Sequence, residues 1–360
     1  MDTQCINSLT SDAVTLLKEM IAIPSTSFNE DAVCSHICDW MTEHGIQHER
    51  IGNNIIAEHI CDPAQPTLML CAHIDTVEPC EGYTFNPYTP ENCPDGMVQG
   101  LGSNDDGASV VSMIAAYRYL TSSDRGGYNL ILVLTCEEER SGKGGMTGLW
   151  GSMVDSGRTP VDYAIVGEPT CMKAAIAERG LLVIDAVAEG VSGHAARNEG
   201  VNALYIALED IERLRNHNFS KISPRMGKVN LNVTQINAGS AHNVIPDRCS
   251  FVIDIRPTEQ YTNEDILNEL QAICQSKLTP RNLLNQSSAT FEDSPLQKAA
   301  EKLGIETFSS PTTSDWMRID CDAIKMGPGD SARSHKKDEY VTVEEISNGI
   351  KTYIEFIERL

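Results

Sequence analysis

The amino-acid sequence predicts an α/β fold in two domains, with the second inserted into the first. The chain has 360 residues, and at roughly 150 residues per domain this length favours two domains. Up to Pro169, near-continuous apolar runs alternate with helical patterns, which is typical of a largely parallel sheet covered by helices. After Pro169 the order of elements approaches the split β-α-β arrangement of a small ferredoxin-like unit.

The first part of the chain opens with two helical patterns. Apolar residues at 13, 16, 17 and 20 have helical spacing, and Ser11 is a candidate N-cap. Positions 33, 37, 40 and 41 repeat this spacing, and Gly45 is a candidate stop. We further predict buried strands at 67–73, 129–135 and 163–166, a helix at 108–120, and a short helix after the glycine-rich segment 142–148.

The second part of the chain contains the predicted ferredoxin-like elements. They are strands at 181–189, 229–236 and 249–255, helices at 202–215 and 263–276, and one more strand near Ser288. Segment 277–286 is a candidate for the crossing back to the first domain. The chain closes with a helix, because Thr342 and Glu345 form a capping-box pattern ahead of an apolar stripe.

Composition excludes several classes of protein. The chain carries 28 basic and 51 acidic residues, a formal net charge of −23, which would repel phosphate backbones and anionic lipids. We therefore expect neither nucleic-acid nor membrane binding, and no apolar run approaches the ~20 residues of a membrane helix. The 12 cysteines include no CxxC pair, and no secretory signal is visible, so we expect a cytoplasmic protein with reduced thiols.

Residues that can bind a metal follow several of the predicted strands. His73 and Asp75 come at the end of strand 67–73, and side chains two apart in a strand point to the same side. Asp75 is therefore placed to hold one ring nitrogen of a metal-binding His73. A strand-end histidine beside an unrelated surface carboxylate is the alternative, and the dipeptide pattern alone leaves it open.

A glycine-rich loop at 100–107 precedes the predicted helix at 108–120. The pattern fails as a dinucleotide fingerprint, because Asp105 occupies the third glycine position, and no phosphate-binding lysine follows. Asp105 would lie near a helix N-terminus, where carboxylates are stabilised. An ordinary helix cap is the alternative role for this residue.

Further carboxylates and one histidine complete the set. Glu137, Glu138 and Glu139 follow strand 129–135, and three adjacent carboxylates at an apolar strand end are costly without a cation. Glu168 follows strand 163–166, and His335 lies in the segment GPGDSARSH. A solvated acidic turn is the alternative for the three glutamates, and an ordinary loop histidine is the alternative for His335.

Together these residues predict a metal centre. The carboxyl ends of strands in an open α/β sheet meet at the crevice where ligands bind. Two imidazoles and three carboxylates suit a pair of zinc or similar ions that share one carboxylate. The five candidate ligands are His73, Asp105, Glu139, Glu168 and His335. A spare carboxylate beside a ligand, Glu138 beside Glu139, is what a metal-activated hydrolase needs as a general base.

Five motifs in this order and spacing resemble the M20 metallopeptidase family, most closely its group of acetylornithine deacetylases and succinyl-diaminopimelate desuccinylases. The motifs are HIDTV, GLGSNDDG, TCEEERSG, VGEPT and GPGDSARSH. The resemblance implies a di-zinc, aminopeptidase-like catalytic domain at 1–171 and 283–360. It also implies an inserted ferredoxin-like α+β dimerisation domain at 172–282, and hence a homodimer.

The resemblance also implies roles for single residues. His73 and Glu168 would bind one zinc ion, Glu139 and His335 the other, and Asp105 would bridge the two. Asp75 would orient His73, and Glu138 would be the general base, unless the register within the three glutamates slips by one. Cobalt or manganese could replace zinc.

Substrate-binding residues are implied by further matches. The segment around His194 is similar to one whose histidine reaches the partner subunit's active site and stabilises the oxyanion. The positions similar to substrate-contacting ones are Arg179, Asn243, Arg256, Ser314 and Gly329.

The implied activity is hydrolysis of an N-acyl amino acid. We expect removal of the acetyl group from N-α-acetylornithine, giving ornithine and acetate in arginine biosynthesis. The alternatives are an N-succinyl-ornithine or N-succinyl-diaminopimelate desuccinylase, then a dipeptidase. From another class, the alternative is a non-catalytic homologue that binds an amino acid; Glu138 argues against it, because a binding protein needs no base beside a metal.

Overall fold

The computed structural model describes residues 2–90, 93–122, 127–155, 158, 160–197 and 199–360. The chain forms two compact units: the first comprises Met1–Ile176, Thr290–Phe308 and Ser314–Leu360, and the second Ala177–Ala289 and Ser309–Thr313. These borders lie five and seven residues after the predicted ones, and the short second piece of the second unit was not predicted. The catalytic and dimerisation roles assigned to the two segments stay predictions.

The strands and helices are numbered in chain order. The strands are β1 (Glu49–Ile51), β2 (Asn54–His59), β3 (Thr67–His73), β4 (Met97–Gln99), β5 (Asn129–Thr135), β6 (Tyr163–Val166), β7 (Ala174–Glu178), β8 (Leu182–Glu189), β9 (Gly193–His194), β10 (Asn230–Ala238), β11 (Val244–Ile245), β12 (Arg248–Arg256), β13 (Lys277–Pro280), β14 (Ser288–Ala289), β15 (Thr307–Ser310), β16 (Asp322–Lys325) and β17 (Tyr340–Thr342). The α-helices are α1 (Thr3–Ile21), α2 (Asp31–Glu43), α3 (Ala108–Thr121), α4 (Met146–Asp155), α5 (Ala203–Asn216), α6 (Asn263–Ile273), α7 (Pro295–Leu303) and α8 (Val343–Ile357).

The first unit is a three-layer α/β structure, as the sequence predicts. Its sheet has the strand order β1-β2-β5-β3-β6-β16-β7, and β3, β5, β6 and β16 run parallel to one another. Every residue of β3 and β5 is buried, because helices cover both faces of the sheet. Alternate strand residues pack against α1, α3 and α8 on one face and against α4 and Trp316 on the other.

The second unit has the ferredoxin-like order that the sequence predicts. Its antiparallel sheet has the order β10-β12-β8-β13, and residues of α5 and α6 share one core with it. Two details of the prediction are wrong. Segment 277–286 does not simply cross back, because β13 pairs with β8. The strand near Ser288 is not part of this sheet, because β14 pairs with β7 at Glu178 and Ala177.

Helix ends show where local sequence signals succeed. The capping box of α8 is confirmed: the Thr342 side chain accepts from the Glu345 backbone N–H, and the Glu345 side chain accepts from the Thr342 N–H. Gly45 follows α2 with φ 73°, as a C′ glycine should. The predicted cap of α1 is wrong, because the helix begins at Thr3 and the Asp2 side chain caps it by accepting from Gln4 N–H. Ser11 lies within that helix, because the apolar stripe continues towards the N-terminus through Leu9 and Ile6, which pack on the same core.

Candidate metal centre

The site begins at the carboxyl end of β3, where His73 is buried. The backbone bends there, so that the His73 Nδ1 lies 2.9 Å from the Asp75 carbonyl oxygen and 3.4 Å from Asp75 Oδ1. These contacts hold the ring and direct Nε2 away from the strand, to a point 3.3 Å from Asp105 Oδ1. Burial lowers the pKa of His73, but the hydrogen bonds to Asp105 and Asp75 outweigh it and raise that pKa well above its ordinary value.

A tight turn at Ser103–Gly107 carries Asp105 into the site. Gly107 N–H donates to the Gly102 carbonyl at 3.0 Å, and Gly102 has φ 75°. A Cβ on Gly102 would come within 2.5 Å of the Thr76 side chain, so glycine is required for this approach. Asp105 Oδ1 faces His73, and its Oδ2 lies 3.6 Å from His335 Nε2. One carboxylate therefore lies between two imidazoles, with one oxygen directed at each.

The turn after β5 supplies the next carboxylates. Asp75 Oδ1 accepts from Glu138 N–H at 3.0 Å, and Asp75 Oδ2 accepts from Glu139 N–H at 3.2 Å and from Ser27 Oγ at 2.7 Å. The Asp75 carboxylate therefore fixes the backbone of this turn as well as His73. Glu139 Oε1 is 2.9 Å from His335 Nε2, a contact that raises the pKa of His335 to about 9.

The Glu137 side chain points away from this group. Its carboxylate accepts from Gly144 N–H at 2.8 Å, and a Cβ on Gly142 would lie 2.0 Å from Glu137 Oε2. The glycine-rich segment therefore accommodates Glu137. Within the three glutamates, Glu138 and Glu139 are the two that join the histidines.

Two sets of metal-binding atoms result, each with all members within 4.8 Å of one another. One consists of His73, Asp105 and Glu139, and the other of His73, Glu138 and Glu168. Burial raises the pKa of Glu138 well above its ordinary value. Burial and, after it, the nearby Asp105 carboxylate raise the pKa of Glu168 well above its ordinary value. So many desolvated carboxylates cannot all be ionised without added positive charge. Imidazole and carboxylate donors fit zinc or similar divalent ions.

More buried acids surround these sets, and sequence reasoning missed them. Asp106 is buried, which raises its pKa to about 8. Asp315 accepts a hydrogen bond from Thr135 Oγ1 at 2.6 Å, and burial raises its pKa to about 6. Glu339 accepts from three backbone N–H groups, yet burial raises its pKa to about 8. Asp106 lies within the motif GLGSNDDG and Asp315 follows the predicted Ser314, whereas no local pattern marks Glu339.

Two predicted substrate-contacting residues lie in the first unit. Ser314 is buried, and its hydroxyl accepts from Trp316 N–H at 3.3 Å, so it caps the short helix Asp315–Arg318. Gly329 has φ 85°, and a Cβ there would lie 2.3 Å from Asn104 Oδ1. Each position thus has a packing requirement that would explain its residue type without a substrate.

The two predicted arginines lie in the second unit and are already engaged there. The Arg179 guanidinium donates to the carbonyl oxygens of Lys228 at 2.9 Å, of Arg256 at 3.2 Å, and of Met226. The Arg256 side chain pairs with Asp254 through two contacts of 2.9 and 3.2 Å. Both guanidinium groups therefore have protein partners in this structure.

His194 and Asn243 are neighbours on an exposed ribbon of the second unit. His194 in β9 pairs with Val244 in β11, and Ala195 N–H donates to the Asn243 carbonyl at 3.1 Å. Ala196 N–H donates to His194 Nδ1 at 3.1 Å. The neutral ring therefore carries its proton on Nε2, which leaves a hydrogen-bond donor directed outward.

A model of Peptidase family M20/M25/M40 matches residues 69–359 of the chain. The chain belongs to this family. It follows that the protein is a hydrolase that acts on amide bonds. This match confirms the resemblance to the M20 family that the sequence motifs indicate. The α/β architecture described above confirms the predicted fold class.

Relatives of this M20 chain differ in the substrate that their names state. The acetylornithine deacetylase of Proteus mirabilis (strain HI4320) is 27% identical over 367 residues, covering 91% of this chain and 91% of that protein. The succinyl-diaminopimelate desuccinylase of Anaplasma marginale (strain Florida) is 25% identical over 375 residues, covering 97% of each. Such similar identities support an M20 amide hydrolase and leave the acyl group undetermined.

Solved M20 structures show the same fold. The crystal structure of the YXEP protein of Bacillus subtilis, described as a dinuclear metal binding peptidase from the M20 family, has a TM-score of 0.75. It is 16% identical and covers 98% of this chain and 98% of that one. Among the helices described for the present M20 chain, none has the length and apolarity needed to span a membrane.

Proposed function

We propose that this M20 chain is a two-zinc N-acyl amino acid deacylase that converts N-α-acetylornithine to ornithine and acetate. The observation that carries the proposal is Asp105, whose two oxygens face His73 and His335 at 3.3 and 3.6 Å. A carboxylate in this position can bridge two ions. His73 and Glu168 would hold one ion, and Glu139 and His335 the other.

The chain's own residues supply positioning and proton transfer. When bound, the two ions would supply Lewis acidity that polarises an acyl carbonyl and allows water to react near neutral pH. Asp75 holds His73 and the backbone of Glu138 and Glu139, so three proposed site residues depend on one carboxylate. Glu138 has a carboxylate oxygen within 4.8 Å of ligand atoms of His73 and Glu168. It would take the proton of the attacking water and pass it to the leaving amine.

The second unit supports a role for His194 at the oxyanion. Because Nδ1 accepts from Ala196 N–H, the outward Nε2–H is the group that would donate to a developing negative charge. Asn243 directly precedes the paired strand β11, and its carbonyl accepts from Ala195 N–H at 3.1 Å. We propose that both act in the active site of the partner subunit.

Exposed features of the second unit support the homodimer. β10 is an edge strand with mostly exposed residues, so its unpaired backbone groups can pair with a second copy. Ile236 on β10 and Tyr205 and Leu208 on α5 are large apolar side chains exposed by 49%, 64% and 49%. A two-fold interface that uses the same edge twice would cover them.

The engaged arginines favour an acetyl over a succinyl group. A succinyl chain ends in a carboxylate, which needs a cationic partner when it is bound away from water. Arg179 donates to three backbone carbonyls and Arg256 is paired with Asp254. N-α-acetylornithine carries only its α-carboxylate, so its neutral acyl group needs no second cation from these arginines.

The direct test is to assay the zinc-loaded protein on N-acetyl-ornithine, N-succinyl-ornithine and N-succinyl-diaminopimelate in parallel. We expect the highest kcat/KM on the acetyl substrate. A preference for either succinyl compound would replace the proposed substrate but keep the deacylase. Absence of turnover on all three, with two metals bound, would refute the deacylase proposal.

The dimer is tested by mixing two inactive variants, Glu138→Gln and His194→Ala. In a mixed dimer, one site combines its own Glu138 with the partner's intact His194. Random exchange should therefore restore about a quarter of wild-type activity, since half of the dimers are mixed and each has one complete site. Lack of recovery despite proven subunit exchange would refute the cross-subunit role.

A further inference from the structure

Glu339 is a buried carboxylate whose side chain is only 2% exposed, and it contacts the turn that carries Asp105. Its Oε2 accepts from Gly102 N–H at 3.1 Å, and its Oε1 accepts from Asn104 N–H and Asp105 N–H at 2.9 Å each. The ribbon of β4 and β17 brings these segments together, with Tyr340 opposite Gln99. A single side chain thus orients three donors of the Asp105 turn.

Asn104 makes a second connection between the same two segments. Its Oδ1 accepts from Asp330 N–H at 2.9 Å, and its Nδ2 donates to the Asp330 carbonyl at 3.1 Å and to Ser334 Oγ at 3.4 Å. Gly329 makes room for it, because a Cβ there would lie 2.3 Å from Asn104 Oδ1. Asn104 is itself buried.

His335 lies between these two connections along the chain. Asp330 and Ser334 contact Asn104 on one side of it, and Glu339 follows four residues later. The His335 ring reaches Glu139 at 2.9 Å and Asp105 at 3.6 Å. The hydrogen bonds of Glu339 and those of the Asn104 side chain therefore set the distance between the Asp105 carboxylate and the His335 imidazole. Neither the Asp105 nor the His335 side chain takes part in these bonds.

We propose that Glu339 and Asn104 form a two-point clamp that fixes the spacing between Asp105 and His335, and that they are positioning residues for the metal held by Asp105, Glu139 and His335. This inference rests on the metal-binding roles proposed above. It adds two residues that touch neither substrate nor metal. Because Asp105 would bridge both ions, the clamp bears on both metal positions. Its effect is larger at the His335 position, where two proposed ligands lie in the clamped segments, than at the His73 position, where Asp105 alone does.

The chemistry of a glutamine substitution makes the clamp testable. The substitution Glu339→Gln keeps the shape of the side chain but replaces one acceptor oxygen by an NH₂ donor, which would face a backbone N–H donor in either orientation. The turn must then shift or leave an N–H group unpaired. Loss of residues that orient metal ligands typically weakens metal binding by about 10- to 100-fold. We expect that loss at the His335 position and a smaller loss at the His73 position, which shares Asp105 but has its other two proposed ligands outside the clamp.

The experiment measures both metal dissociation constants by competition with a chromophoric chelator, on the full-length protein. The matched control is Asp322→Asn, because Asp322 is also buried and accepts from a backbone N–H (Phe291, 2.9 Å) and a hydroxyl (Ser294, 2.5 Å). Asp322 starts β16 and pairs with Tyr163 at the start of β6, whereas Glu168 follows the opposite, carboxyl end of β6. The absorption spectrum of the cobalt-loaded protein supplies a second readout, since altered ligand geometry changes it and a general loss of stability does not.

Glu339→Gln with weakened metal binding, more at the His335 position than at the His73 position, and an altered cobalt spectrum would support the clamp, provided that Asp322→Asn shows neither change. Two unchanged dissociation constants in Glu339→Gln, or an equal loss in Asp322→Asn, would overturn it. Failure of the wild-type protein to bind two metals would instead refute the proposed function. Asn104→Ala provides an independent test if Glu339→Gln does not fold.

If neither variant folds, the clamp is tested by measuring hydrogen exchange of backbone amides in the metal-free wild-type protein. The clamp requires the Asn104 and Asp105 amides to stay protected without metal, because Glu339 accepts from both. Rapid exchange at both amides would overturn the inference.

Discussion

Replacing Asp75 by asparagine should destabilise the metal-free first unit. The carboxylate is about 1% exposed and accepts from Ser27 Oγ, Glu138 N–H and Glu139 N–H while it faces the His73 ring. Its two oxygens each bind a different backbone N–H. In Asp75→Asn one of them becomes an NH₂ donor, so whichever way the amide turns, one partly buried N–H loses its acceptor.

The magnitude follows from these contacts. An unsatisfied buried donor costs about 1–3 kcal/mol. The remaining contacts become neutral instead of charge-assisted, and hydrogen bonds to charged groups are roughly twice as strong. Removing one of several crowded carboxylates offsets a part of this loss. We therefore expect a decrease of about 2–4 kcal/mol in the free energy of unfolding.

Urea denaturation at neutral pH, in the presence of a chelator, measures the effect. With a urea m-value of about 2 kcal/mol/M, the midpoint of the transition of the first unit should fall by about 1–2 M. Asp320→Asn, an exposed carboxylate in the same unit, is the control and should leave the midpoint unchanged. A change below about 0.5 kcal/mol in Asp75→Asn, the range of ordinary surface substitutions, would show that this carboxylate does not organise the turn.

Three further predictions concern stability. Thr342→Ala removes the hydroxyl that caps α8 and should lower the free energy of unfolding by about 1 kcal/mol, which calorimetry would detect as a lower Tm. Burial raises the pKa of Glu345, but hydrogen bonds from Arg333 and Thr342 bring it below its ordinary value. The ionised Glu345 therefore stabilises the fold above pH about 4.3, and this stability is lost as the pH falls through the lower pKa of the folded state. An acid-unfolding profile that is the same in Glu345→Gln and in the wild-type protein would contradict this prediction. Excess zinc over chelator should raise the Tm, since a ligand at 1,000 times its Kd adds about 4 kcal/mol, and equal values in both conditions would argue against a metal centre.

The buried parallel strands could be predicted to the residue. β3, β5 and β6 have the bounds that their apolar runs indicate, because burial on both faces removes nearly every polar residue from the run. The same regularity places the residues after each strand at one edge of the sheet. His73 and Glu139 could therefore be grouped from sequence alone, whereas Asp105 follows β4, which belongs to a separate two-stranded sheet. The structure brings ligand atoms of all three within 4.8 Å of one another.

Contacts that depend on distant backbone groups could not be predicted. Glu339 binds N–H groups more than 230 positions earlier in the chain, and backbone donors leave no mark in a residue pattern. Arg179 is similar, because its partners are carbonyl oxygens, which every residue has. β13 escaped prediction because only one of its four residues is buried, so its apolar content is too small to indicate a strand.

The late arrival of β16 shapes how the chain must be synthesised. This strand pairs with β6 and with β7, yet Lys325 is made 159 residues after its neighbour Val166. At about 5–20 residues per second, a nascent chain waits roughly 8–30 s with that edge of β6 open. During synthesis, β6 therefore presents an exposed strand edge, although it ends inside the sheet of the folded protein. Such an edge can pair with other chains. Slower translation or poorer chaperone access should therefore lower the yield of folded protein.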